Sequence, residues 1–153
     1  MIEGYHYQNA YVTRNIDKWV DVFSTRAKVD KVLRYEGTTP VMTPAGPSTQ
    51  TSKLAFIWVG DLQYELIQPV DGAVDIYRNG LPAGDGLAFH HICMRVDNWD
   101  DFRRRVSEQS FPVVLERGGD ALKFLYLDAR EFLGHYLEYT WMTDDMWKRM
   151  GGA

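Results

Sequence analysis

Cysteine is nearly absent. Cys93 is the only one, so no internal disulfide is available and a reducing, cytoplasmic compartment is expected. Long apolar runs are missing as well: none approaches the ~20 residues that cross a bilayer. The opening Met-Ile-Glu-Gly-Tyr-His-Tyr has no basic region ahead of an apolar one, so neither a membrane partner nor a signal peptide is expected. Nor is there a surplus of basic residues. Lys and Arg number 17 against 21 Asp and Glu, and the net charge of −4 argues against nucleic acid as a partner. Rings, in contrast, are abundant: five Trp, nine Tyr and seven Phe in 153 residues, enough to fill a core or to line an apolar pocket. With 45% apolar and 25% charged residues, the chain suits one well-buried domain over 1–153, or two half-size modules sharing one core.

The most informative stretch is 88–96, Ala-Phe-His-His-Ile-Cys-Met-Arg-Val, a strand-forming run with two adjacent histidines. A helical pattern follows it, with Trp99, Phe102, Arg103 and Val106 at helical spacing and Asp97 or Asn98 as cap. A degraded copy opens the chain. Overlaying Gln8 on His91 also brings Ala10 onto Cys93, Ile16 onto Trp99, Trp19 onto Phe102 and Phe23 onto Val106. Module one, about 5–70, reads as a strand over 5–13, a helix from the Asn15 cap to about 26, and strands over 29–36, 53–59 and 62–70. The Thr-, Pro-, Ser- and Gly-rich segment 37–52 has no periodicity and is expected to be a loop or an irregular hairpin, either a functional lid or a tolerated insertion. A Gly-rich connector, 71–87, leads to module two, about 88–141, with further strands over 111–116, 122–127 and 135–141. A terminal helix is expected over 144–150, carrying Asp144 and Asp145 at its positive end.

Strand alternation assigns faces. His91, Cys93 and Arg95 share one, and the apolar Ile92, Met94 and Val96 share the other, beneath the helix. In module one His6, Gln8, Ala10 and Val12 fall together. The last strand of each module carries a glutamate among apolar neighbours, Glu65 in Gln-Tyr-Glu-Leu-Ile and Glu138 in Tyr-Leu-Glu-Tyr-Thr. An ionised carboxylate in such surroundings needs an ion pair, hydrogen bonds or a cation, unless the face is solvent-exposed.

Three segments together resemble the vicinal oxygen chelate superfamily, which includes glyoxalases, methylmalonyl-CoA epimerases, bleomycin resistance proteins and extradiol dioxygenases. They are His-His-Ile-Cys-Met-Arg-Val-Asp-Asn-Trp, Gly-His-Tyr-Leu-Glu-Tyr and Tyr-Glu-Leu-Ile-Gln-Pro. The resemblance spans nearly the whole chain except 37–52 and is nearest in look to the epimerase-like and glyoxalase-like members. It implies an α+β fold in which two βαβββ modules form a curled, partly open mixed sheet around a central cavity, with helices outside. It also implies a metal held by Gln8, Glu65, His91 and Glu138, and a homodimer in which the site lies within one chain or between two. A divalent ion, Co, Ni, Mn, Fe or Zn, suits these mainly hard donors.

With such an ion as Lewis acid, Glu65 or Glu138 is the candidate catalytic base for a proton next to a carbonyl. The expected enzyme is a metal-dependent isomerase, epimerase or lyase acting on an oxo-acid or acyl thioester. Arg95, Cys93 and Trp58 are candidate substrate-binding residues. Arg95 would hold an anionic group if it is not a structural salt bridge, and Cys93 would line the pocket rather than act as a nucleophile. A second reading is a non-catalytic resistance or binding protein that takes an aromatic ligand between Trp58, Tyr64, Tyr136 and Trp141. A third, ranked lower, is a ring-cleaving dioxygenase, which needs a second histidine that only His6 offers; a surface position is the favoured reading of His6.

Overall fold

A computed structural model describes residues 2–153. Its first half runs β1 (Tyr5–Thr13), α1 (Ile16–Arg26), β2 (Lys31–Thr43), β3 (Gly46–Val59), β4 (Leu62–Gly72) and α2 (Asp75–Arg78). The second half runs β5 (Leu87–Arg95), α3 (Trp99–Ser107), β6 (Val113–Arg117), β7 (Leu122–Leu127), α4 (Arg130–Leu133), β8 (Tyr136–Met142) and α5 (Asp144–Arg149). The strands form one mixed sheet in the order β1-β4-β3-β2-β6-β7-β8-β5, curled into a barrel with the helices outside. The ring closes twice. At β1–β5 the pairing runs from Tyr5↔Arg95 to Thr13↔Leu87. At β2–β6 it is a single pair, Met42↔Glu116, so the expected partly open sheet is closed by its thinnest possible seam.

Capping and amphipathicity place the helices. The side chains of Asn15 and Asn98 accept hydrogen bonds from the N–H groups of Lys18 and Asp101, satisfying donors that helices α1 and α3 leave free. Beneath α1 lies a cluster built on Ile16, Ala55, Ile57 and Leu66; beneath α3, one built on Met94, Phe102, Leu137 and Tyr139. Alternation then turns Glu65 and Ile67 on β4, and Glu138 and Thr140 on β8, toward the barrel interior. This division leaves polar side chains facing the interior while the outer layers act as core.

The segment 37–52 is regular. β2 and β3 pair without interruption from Lys31↔Trp58 to Thr43↔Gly46, forming a long hairpin. It takes the hairpin form of the two expectations, and it is not irregular. Periodicity missed it because most of its outer length has no buried face to demand apolar alternation. Pro40 sits in β2, whose one partner besides β3 among the described residues is β6 at Met42; a residue without N–H is tolerated where no further strand asks for it.

Gly72 ends β4 at φ +79°, and an added Cβ would run into the Thr49 carbonyl oxygen, which itself accepts from the Ala73 N–H at 2.8 Å. Gly72→Ala is expected to destabilise the fold by about 1–3 kcal/mol, from the left-handed backbone and the clash together. Urea denaturation checks this, and an unchanged midpoint would refute it.

Candidate metal and substrate site

The four inner strands β1, β4, β5 and β8 carry equivalent positions in pseudo-symmetric register. Gln8 pairs with Gln63 and Ala10 with Glu65 across β1–β4; His91 pairs with Tyr136 and Cys93 with Glu138 across β5–β8. Ala10 lies opposite His91, and Gln8 opposite Cys93, across β1–β5. Glu65, His91 and Glu138 therefore converge: one candidate ligand atom from each lies within 4.8 Å of the others. His91 is fully buried, and both glutamates are only 7% exposed.

His91 Nε2 is 2.9 Å from Glu138 Oε2, a hydrogen bond, and 3.5 Å from Glu65 Oε2. The longer contact is an ion pair whose geometry falls short of a hydrogen bond, and Glu65 Oε2 has no hydrogen-bond partner. Gln8, also buried, donates its amide N–H to Gln63 Oε1 at 2.6 Å, and its own Oε1 is unpartnered. Two buried acceptors without donors, beside a histidine and a second carboxylate, are a donor set that fits a divalent cation.

The electrostatics agree. Burial raises the Glu65 carboxyl above its usual range, partly opposed by His91. Burial alone would depress His91, but its contacts with Glu138 and Glu65 outweigh that and lift it to about 9. In the metal-free site a proton on His91 stands where a cation would neutralise the two carboxylates. His90, buried and without a carboxylate partner, is instead pushed down to about 3, by burial first and then by the neighbouring His91.

Gln8 on β1, Glu65 on β4 and Glu138 on β8 line a cavity of about 400 Å³. Its walls include Leu54, Phe56, Phe124, Met142, Met146 and Met150, and among the described residues its single Lys or Arg is Arg117, at the end of β6. Among the described residues Arg117 meets no carboxylate; Arg103 takes the neighbouring Glu116 at 3.0 Å.

The other sequence-nominated residues lie elsewhere. Arg95 and Trp58 do not line this cavity but a second one, of about 330 Å³, beyond the barrel end. Helix α5 crosses that end with buried Trp147; the Arg95 guanidinium sits 4.6 Å from the Trp147 ring and donates to the Met142 carbonyl and to Asp144. The Trp58 indole N–H donates to the Met150 carbonyl at 2.7 Å. Cys93 is sealed beside Tyr7 and Thr140 and lines neither cavity; burial pushes its thiol well up. His6 turns out to solvent and bonds Asn9 at 2.8 Å, because the β1–β5 register shifts between His6 and Gln8 and brings Tyr7 inward. Sequence reasoning missed Gln63, Tyr7, Tyr126 and Arg117. Gln63 was within reach, since it stands two residues before Glu65 on the same strand face.

A curled mixed sheet of eight strands with paired acidic and imidazole donors inside defines the class of protein. The family model described as glyoxalase/bleomycin resistance protein/dioxygenase superfamily matches residues 7–126, and the chain belongs to that family. No curated protein matches the sequence. Among solved structures, the chain is similar to methylmalonyl-CoA epimerase from Mycobacterium tuberculosis: 15% identity, TM-score 0.66, covering 95% of each chain. It is also similar to Streptomyces coelicolor methylmalonyl-CoA epimerase in complex with 2-nitronate-propionyl-CoA, at 14% identity and TM-score 0.64, covering 92% of this chain and 98% of that one. A hypothetical protein from Bacillus halodurans C-125 gives 17% identity and TM-score 0.63, covering 91% and 94%. At such identities the likeness is one of fold. Among the described residues no helix is long and apolar enough to cross a membrane.

Proposed function

We propose that the protein is a divalent-metal-dependent isomerase or epimerase that moves a proton next to the carbonyl of a small oxo-acid or acyl thioester. The observation that carries this reading is the convergence of Glu65, His91 and Glu138 at the floor of an apolar cavity, with the Gln8 and Glu65 oxygens unpartnered. Gln8, Glu65, His91 and Glu138 would hold the ion, which when bound supplies Lewis acidity to a substrate carbonyl. The chain's own part is positional and basic. Glu65, whose carboxyl burial raises above its usual range, and Glu138 flank His91 from separate strands, so one accepts the substrate proton while the other stays in place. Arg117 offers the one cation for a substrate carboxylate or phosphate, and the Phe and Met walls exclude water. The acyl-CoA-binding epimerases of similar fold support a thioester as the first substrate to try.

Glu138→Gln is expected to lower deuterium incorporation from heavy water into methylmalonyl-CoA or a 2-oxo acid by about 10²–10⁴-fold. Wild-type-level exchange in the variant would remove Glu138 as base.

The apolar walls also favour a second reading, a metal-free protein that sequesters a flat ligand. Metal analysis after expression with added Co and Mn separates the two, since bound metal near one equivalent per chain is expected from the first and none from the second. A ring-cleaving oxygenase is disfavoured by the placement of His6 on the outer surface, which leaves the cluster with one histidine.

A further inference from the structure

The two adjacent histidines are linked through their rings. His90 Nδ1 and His91 Nδ1 are 2.8 Å apart, and His90 Nε2 is 2.8 Å from the carbonyl oxygen of Ile76. A carbonyl only accepts, so His90 Nε2 carries hydrogen. His90 is 4% exposed, its ring stacks on Tyr136 at 4.8 Å, and among the described residues no carboxylate pairs with it, so it is a neutral imidazole with one N–H. Its Nδ1 is then a bare lone pair. The single proton between the two rings belongs to His91 Nδ1, and His91 Nε2 points at Glu138 and Glu65. Ile76 lies in α2, in the connector between the two halves of the barrel, where Tyr77 packs against the same His90 ring at 5.1 Å.

We infer that His90 is a positioning residue: braced by the Ile76 carbonyl, it holds His91 with its proton on Nδ1 and so reserves Nε2 for a cation. This rests on the metal-site reading above and assigns the connector a role in the site. Outer partners of metal-bound imidazoles typically change affinity by about 10–100-fold when removed.

Two variants and one spectrum test it. His90→Asn keeps an acceptor near the place of His90 Nδ1, whereas His90→Leu removes it. Cobalt titration should find His90→Asn within a few-fold of wild type and His90→Leu weaker by about 10–100-fold. Urea denaturation shows whether each variant is folded. Equal cobalt affinity in a folded His90→Leu would overturn the inference. In metal-free wild-type protein labelled with ¹⁵N-histidine, a coupling across the N–H···N bond should join the rings, with the proton on His91 Nδ1 and His90 Nδ1 bare. The reverse assignment would overturn it too. If wild type binds no cobalt, the metal-site reading fails while the spectrum still decides how His90 orients His91.

Discussion

His91→Leu is expected to destabilise the metal-free protein by about 3–5 kcal/mol near neutral pH, the usual cost of removing one partner from a buried ionic group. The side chain has no exposure to solvent, and among the described residues its Nε2 is the one basic atom paired with both Glu65 and Glu138. Leucine roughly preserves the packed volume, so the loss reports charge more than cavity. Two buried carboxylates would be left facing one another, and the cheapest relief is a proton on one of them. Glu65 already binds its proton more tightly than usual, through burial first and the Glu138 charge as well. The deficit relative to wild type should therefore shrink as pH falls toward 5. Urea denaturation with chelator present, at pH 7.5 and pH 5, measures both. A loss under 1 kcal/mol at pH 7.5 would show that the cluster is solvated and not a closed ionic centre.

The second large effect is the pH dependence of metal affinity. His91 titrates at about 9 in the metal-free protein, and a metal takes only the unprotonated nitrogen. Below pH 9 the ion must displace that proton, so affinity for Co or Mn should rise about tenfold per pH unit and level off above pH 9, roughly 100-fold between pH 7 and pH 9. The sign for stability is opposite. A folded-state value near 9 against the usual 6.5 means that the protonated His91 stabilises the metal-free fold fully below pH 6.5 and loses this as pH rises to 9, by an amount on the order of 3 kcal/mol. Calorimetric titration at several pH values, beside thermal unfolding with and without metal, checks the pair. Affinity independent of pH over this range would mean that His91 is not a ligand.

Most of the architecture was legible in apolar spacing. Ile16, Trp19, Val20 and Phe23, and again Trp99, Phe102 and Val106, marked the two helices that cover the sheet. Repetition then brought the equivalent positions of two modules into one frame and marked Glu65 and Glu138 as carboxylates among apolar neighbours; the structure turns both to the cavity. The hairpin over 37–52 was not legible as regular structure, because a strand pair that buries little apolar surface leaves no period in its sequence. Parity also failed at His6, where a register shift between His6 and Gln8 reversed the faces; main-chain irregularities of this kind carry no side-chain signature. Arg95 does not reach that cavity; it lies against Trp147 of α5, and the two line the second cavity together.

By itself the sequence determined most of the elements, their duplication and the four polar residues placed at equivalent points of the repeat, since these are local or periodic properties of the chain. Only the tertiary structure decided that three of those residues meet within 4.8 Å, that Arg117 lines the cavity whereas Arg95 lines a second one, and that the His91 ring is linked through His90 to the Ile76 carbonyl. The reason is physical. Which groups share a cavity depends on barrel closure and on where a crossing helix ends it, and both are set by packing between segments far apart in the chain.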